Sequence, residues 1–244
     1  MRIVLEHYGD LLAGFAITLA LTVLGFLGAL GLGTVLAVLR VSPIATLRVL
    51  GAIYVEFFRN IPLLSLLILF VFGLPDVGIT LSLFASAAVC LALASAAFVC
   101  EAVRGGINAV SVGQAEAARA IGLTFGQSLR FVILPQAFRT MVQPLVNVFI
   151  GVALGSSLAA AVGVSELTNR TQQLNLRYAE AVACFLVAGV LYIAVSLLGG
   201  VVGGGLERRL SIPVSSFRRR PPDRRAARST GSGGYGIGDS EALR

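Results

Sequence analysis

Apolar residues in this chain come in long unbroken runs, not in the two-residue alternation of half-buried strands or the one-sided stripe of soluble helices. The first run, LLAGFAITLALTVLGFLGALGLGTVLAVL, holds no charge from Leu11 to Leu39. A second extends from about Val49 to Leu74 and carries Glu56 and Arg59; a third, from about Thr80 to Val103, is apolar until Glu101. A fourth covers about Thr140 to Val162 and a fifth about Ala179 to Leu206. Helices of roughly 20 residues cross a hydrocarbon core of about 30 Å at about 1.5 Å per residue. The pattern predicts an all-α membrane protein with five transmembrane helices, at 11–39, 49–74, 80–103, 140–162 and 179–206, in a membrane domain of residues 1–216. The first run is too long for the apolar part of a secretory signal. Glu6 and Asp10 accompany Arg2 before it and no convincing small-residue cleavage site follows, so it is expected to be retained.

Within these runs, small residues mark packing faces. Gly25, Ala29 and Gly33 recur every four residues in the first, and Gly199 with Gly203 repeats the spacing in the fifth. Such stripes let helix backbones approach closely.

Composition agrees with the pattern: 57% hydrophobic and 13% charged residues, with a mean hydropathy of +0.90, lie outside the soluble range. All positive charge is Arg, and its placement sets an orientation, because basic residues of short loops stay on the cytoplasmic side. Arg40 and Arg48 follow the first run; Arg104, Arg119, Arg130 and Arg139 lie between the third and fourth; the C-terminal segment is densely basic. The other side has Arg2, Arg170 and Arg177 beside Glu6, Asp10, Asp76, Glu166 and Glu180. The N-terminus is expected outside and the C-terminus in the cytoplasm of a multi-pass cell (inner) membrane protein. The net charge of +7 does not call for nucleic acid, since much of it comes from FRRRPPDRRAARSTGSGGYGIGDSEALR. That segment, 217–244, is expected to be a disordered tail whose Arg cluster meets anionic membrane lipid. Cys90, Cys100 and Cys184 lie within runs, form no CxxC pair and read as small core residues, with no metal site or disulfide framework.

The polar interruption VGQAEAARAIGLTFGQSLRFVILPQAF, Val112 to Phe138, is the least expected part of so apolar a chain. Ser111 with Gln114, and Thr124 with Gln127, read as capping boxes that start two short helices. Gly122 between them suits a left-handed helix stop, and Pro135 is expected to break or redirect the second helix at the membrane. A plain connector needs only a few residues, whereas this segment is long, capped, and stripped of bulk around Glu116 by Ala115, Ala117, Ala118 and Ala120. It reads as a docking element.

Its segment EAARAIGLTFGQSLRFVILP resembles the EAA loop of ATP-binding-cassette importer permeases. Glu116, Ala117, Ala118, Gly122, Leu134 and Pro135 fall on the pattern E-A-A, three residues, G, nine residues, I, one residue, L-P, with Val132 in place of Ile. YVEFFRNIPLL, EAVRGGI and SLAAAVGVSELT further resemble segments of the polar amino acid permeases, so the likeness runs from the first span to about Leu210. The resemblance implies the type I importer permease fold, with a cytoplasmic coupling helix between spans three and four. It implies a subunit that translocates a polar amino acid and has no catalytic site or cofactor of its own, ATP being bound by a cytoplasmic ATPase subunit. A second permease subunit, identical or different, and an extracytoplasmic amino-acid-binding protein would complete the system. Glutamate or glutamine is the first expectation for the cargo, basic amino acids the next.

This chain departs from that family in places. Leu154 and Gly155 stand where many of its members have Lys-Asp, and Leu66 where they have Gln. If those groups meet cargo in other members, this subunit holds fewer contacts and a different partner permease holds more. Glu56 with Arg59, and Glu101 with Arg104, are spaced for pairing on one helix face near the cytoplasmic interface. Asn60, Asn147, Ser156 and Ser157 either line a path or hydrogen-bond between helices. An intramembrane enzyme would need a nucleophile with a base, or a metal site, yet the one histidine is His7, before the first run. The alternative class, a gradient-driven secondary transporter, would show internal repeats and has no use for an ATPase lever.

Overall fold

The computed structural model describes residues 2–42 and 44–210; the expected tail at 217–244, and the domain boundary at 216, lie outside these residues. The α-helices of the described residues are, in order, α1 (Arg2–Glu6), α2 (Tyr8–Val41), α3 (Ala45–Asn60), α4 (Leu63–Ile68), α5 (Leu74–Asp76), α6 (Leu83–Asn108), α7 (Val112–Ala120), α8 (Phe125–Ser128), α9 (Leu134–Gly155), α10 (Leu167–Tyr178) and α11 (Ala181–Leu210). Among the described residues, four helical stretches are long and apolar enough to cross a membrane: α2, α6, the run Gly126–Val162 that contains α9, and α11.

The second expected span departs from the prediction. Instead of one helix over 49–74, the chain forms α3 and then the α4–α5 stretch, bent by 99° to one another. The cause is local: Ile61 precedes Pro62 and is extended, at φ −95° and ψ 131°, as the proline ring requires of its predecessor, and Pro62 has no N–H to continue the ladder. Between α4 and α5 the residues Leu69–Gly73 make a π-turn that ends two residues before Pro75.

α6 is the central post, with α2, α3, α4 and α9 all packed on it. The small-residue face of α2 works as its spacing predicts. A Cβ on Gly25 would meet Leu91 at 3.1 Å, one on Gly33 would strike Val99 at 2.6 Å, and Ala29 between them is fully buried. A Cβ on Gly199 of α11 would meet Phe149 of α9 at 3.0 Å, and Gly203 leaves no room for one beside Val146. Leu21, Leu67, Leu91 and Cys90 fill one core; Leu36, Val55, Val99 and Cys100 fill a second beside it. At the other end, α10 lies across α2 and α11, burying Leu167 and Leu174 against Leu11, Cys184 and Ala188. The three cysteines are free and buried, as small core residues.

Candidate functional site

The polar interruption folds into a bracket whose geometry comes from backbone hydrogen bonds. α7 ends at Ile121, and Gly122 follows at φ +84°. The N–H of Gly122 donates to the Arg119 carbonyl at 2.9 Å and that of Leu123 to the Ala118 carbonyl at 3.1 Å, the paired bonds of a left-handed helix stop. Thr124 and Gln127 then form the expected capping box: the Gln127 side chain accepts from the Thr124 N–H at 2.9 Å, and the Thr124 hydroxyl accepts from the Gln127 N–H at 3.3 Å. The first expected box is not made. Ser111 occupies the N-cap in an extended conformation, but its side chain caps nothing.

Pro135 does not break the second helix. α8 passes into α9 through a π-turn at Leu129–Ile133, closed by the Leu134 N–H on the Leu129 carbonyl, so one helical run continues from Gly126 in the bracket to Val162. The widened turn directly before Pro135 takes up the clash that a proline makes with the carbonyl of the preceding α-turn, and the missing N–H falls in the first turn of α9. Leu74 and Pro75 follow a π-turn in the same way.

The motif residues divide by exposure. Ala118 is 3% exposed and faces the chain's own interior, whereas Glu116, Ala117 and Gly122 face out. Ala118 therefore packs the bracket, and Ala117 stays accessible on its outer side. Val112 and Ile121, 70% and 77% exposed, add apolar surface at the two ends of α7. Sequence reading passed over both, because neither belongs to the quoted pattern. The two ends of the bracket are pinned together at the membrane: the Thr140 hydroxyl donates to the Gly106 carbonyl at 3.2 Å, and Met141 packs on the bare Cα of Gly106.

Glu101 and Arg104 pair as their spacing predicts, with Arg104 Nη2 on Glu101 Oε2 at 2.6 Å, and Arg40 of α2 binds the other carboxylate oxygen. This third member ties α2 to α6. Glu56 and Arg59 do not pair: Glu56 accepts from the Asn60 amide, through its carbonyl at 2.6 Å and its carboxylate at 3.4 Å, while Arg59 lies over the Phe98 ring at 5.8 Å. Ser156 is buried and donates to the Ala153 carbonyl at 2.7 Å, and Ser157 likewise to Leu154 at 2.6 Å, so both satisfy their own helix. Asn147 is exposed on α9.

A polar centre that sequence reading missed is Glu166, which is fully buried. Its carboxylate caps α10, accepting from the N–H of Thr168 at 2.9 Å and of Asn169 at 2.8 Å, and it also accepts from Tyr192 at 2.8 Å and Thr18 at 3.2 Å. The Thr18 hydroxyl in turn accepts from the Leu167 N–H at 3.1 Å. Burial pushes this carboxyl above its ordinary value, outweighing the hydrogen bonds that favour the ion. The one signal available was an acid directly before the helical run LTNRTQQLNLRY.

Known proteins resemble this chain over most of its length. The "Probable glutamine ABC transporter permease protein GlnM" of Bacillus subtilis is 34% identical over 210 residues, 86% of this chain and 97% of that protein. The glutamate transport system permease protein GluC of Corynebacterium glutamicum is 34% identical over 83% of this chain and 95% of its own. Among solved structures, an amino acid ABC transporter crystallised with histidines matches with a TM-score of 0.79 at 29% identity, over 84% of this chain and 96% of that one. The MetNI methionine ABC transporter in an inward-facing conformation matches with a TM-score of 0.66 at 25% identity, over 87% and 98%. With residues 29–212 matching its description, this chain belongs to the family of binding-protein-dependent transport system inner membrane components.

Proposed function

We propose that this chain is the permease subunit of an amino acid ABC importer, and that α7 couples the spans to a separate cytoplasmic ATPase. What supports the coupling role is continuity. A helix stop locked at Gly122 presents Glu116, Ala117, Val112 and Ile121, and the capped helix after it runs on into the fourth span. A push on α7 would thus reach α9 without a flexible joint. Glu116 would make a charge-assisted contact with a basic group of the ATPase, and the apolar pair would fill shallow pockets beside it. Leu134 and Pro135 open α9 directly after the π-turn through which the push would enter the membrane.

Relatives of nearly equal identity are named for glutamine, glutamate, arginine and cystine, so overall likeness does not select the cargo. Glutamine and glutamate are the most frequent of these names, which keeps them first here, delivered by an extracytoplasmic binding protein and passed through a path shared with a second permease subunit. Uptake by vesicles containing this full chain, a second permease, the ATPase and the binding protein should require ATP. Uptake driven by an ion gradient with the ATPase left out would instead favour the secondary transporter.

The bent α3–α5 pair is read as one broken crossing, which gives five spans with the N-terminus outside and the C-terminus in the cytoplasm. Cysteines introduced at Leu176 and Ile121, both highly exposed and at opposite ends of α9, test this in a background where Cys90, Cys100 and Cys184 are replaced. Leu176→Cys should react with an impermeant reagent added outside intact cells and Ile121→Cys should not; the reverse labelling would overturn the orientation.

A further inference from the structure

A groove of about 590 Å³ lies between α2, α9 and α11. α2 and α11 share a core where α10 crosses them, and farther along, Phe26 and Leu30 of α2 face Val202 and Leu206 of α11 across a floor of α9. Every lining side chain is apolar, so a polar cargo would leave its hydrogen-bonding groups unmet there. Between Val195 and Leu210 the groove follows about 20 Å of α11, enough to hold an acyl chain through the roughly 15 Å depth of one leaflet in a core about 30 Å thick.

Two arginines stand at one end of it. Gly199 on Phe149 and Gly203 beside Val146 fix the antiparallel register of α11 and α9, and the same register carried toward the bracket levels Arg209 with Arg139. Arg139 shares the stripe of Val142, Val146 and Phe149, and Arg209 the stripe of Val202 and Leu206, so each extends a wall or floor of the groove. Arg139 is half-buried, and its Nε is buried with no hydrogen-bond partner among the described residues. From this pairing of an apolar slot with two cations at its end, one of them short of an acceptor, we infer that the groove holds an anionic phospholipid. One acyl chain lies along α9, and the phosphate bridges Arg139 and Arg209.

The chain contains no tryptophan, so one introduced tryptophan reports on its surroundings alone. Leu198→Trp places it on an exposed position of the groove, and Val35→Trp places a control on an exposed position outside it. The full-length chain carrying either substitution is reconstituted in vesicles containing dibrominated phosphatidylglycerol or dibrominated phosphatidylcholine. Quenching at position 198 should favour the anionic lipid by about threefold or more, and Val35→Trp should show no preference. Arg139→Gln with Arg209→Gln should remove the preference, and Arg139→Lys with Arg209→Lys should keep most of it. Equal quenching by the two lipids at position 198 would reduce the groove to ordinary annular contact. Quenching by neither would mean that protein, such as a second permease subunit, covers the groove. Either result overturns the inference.

Discussion

Gly122→Val is expected to abolish ATP-driven uptake, by at least about tenfold, while the permease still inserts and retains its partner permease. An added Cβ at Gly122 has no atom within 4 Å, so sterics with the rest of the fold oppose nothing. The cost comes from the backbone, which is at φ +84°, where a β-branched residue loses about 1–2 kcal/mol or more. The substitution can relieve that strain only by giving up the bonds from Gly122 and Leu123 to Arg119 and Ala118, which hold α7 at its angle to the following helix. Gly122→Asn should keep most of the activity, because Asn tolerates the left-handed region. Glu116→Lys acts by another route: the side chain is exposed, so folding is unaffected and only the charge presented to the ATPase reverses. Uptake and ATP hydrolysis measured together in reconstituted vesicles separate the two effects from a loss of assembly. Wild-type uptake by both Gly122→Val and Glu116→Lys would reduce the bracket to a connector.

How much of this was legible in the sequence depends on the reach of each interaction. The apolar runs, the faces at Gly25, Ala29 and Gly33, the stop at Gly122 and the pair Glu101–Arg104 rest on spacings within a few residues, and the sequence displays them directly. Hydropathy averaged over 49–74 concealed the 99° bend, although Pro62 stood in plain view, because apolar content is blind to a missing N–H. Pro135 misled in the opposite sense: a π-turn takes up its clash, and nothing in the residue pattern announced that register change. Arg40 on Glu101 joins residues 61 apart, and Thr18 on Glu166 joins residues 148 apart. Such contacts follow from packing of α2 on α6 and α10, which a single chain of letters does not reveal. The same holds for Ala118, whose inward face is fixed by how the bracket folds on itself.

Glu166→Ala is expected to cost the folded protein on the order of 3 kcal/mol, because it strips the acceptor from two backbone N–H groups and two hydroxyls in a buried place. These partners belong to three elements, since Thr18 lies on α2, Tyr192 on α11, and Thr168 and Asn169 on α10. Losing the carboxyl should therefore loosen the end of the bundle at which α10 crosses the other two helices, and it should lower the unfolding midpoint of the chain in mild detergent. Glu166→Gln keeps one acceptor oxygen and should cost much less. The two variants also separate packing from charge. With its pKa raised on folding, Glu166 holds its proton longer in the native state than in the unfolded one. Its contribution is greatest below the ordinary carboxylate value and falls as pH rises from there toward the raised value. Midpoints measured across that range should decline with pH in the wild type more than in Glu166→Gln, which has no proton to lose. If the two chains show the same pH dependence, the buried carboxyl titrates as it does in the unfolded chain, and its four hydrogen bonds balance the desolvation that the fold imposes.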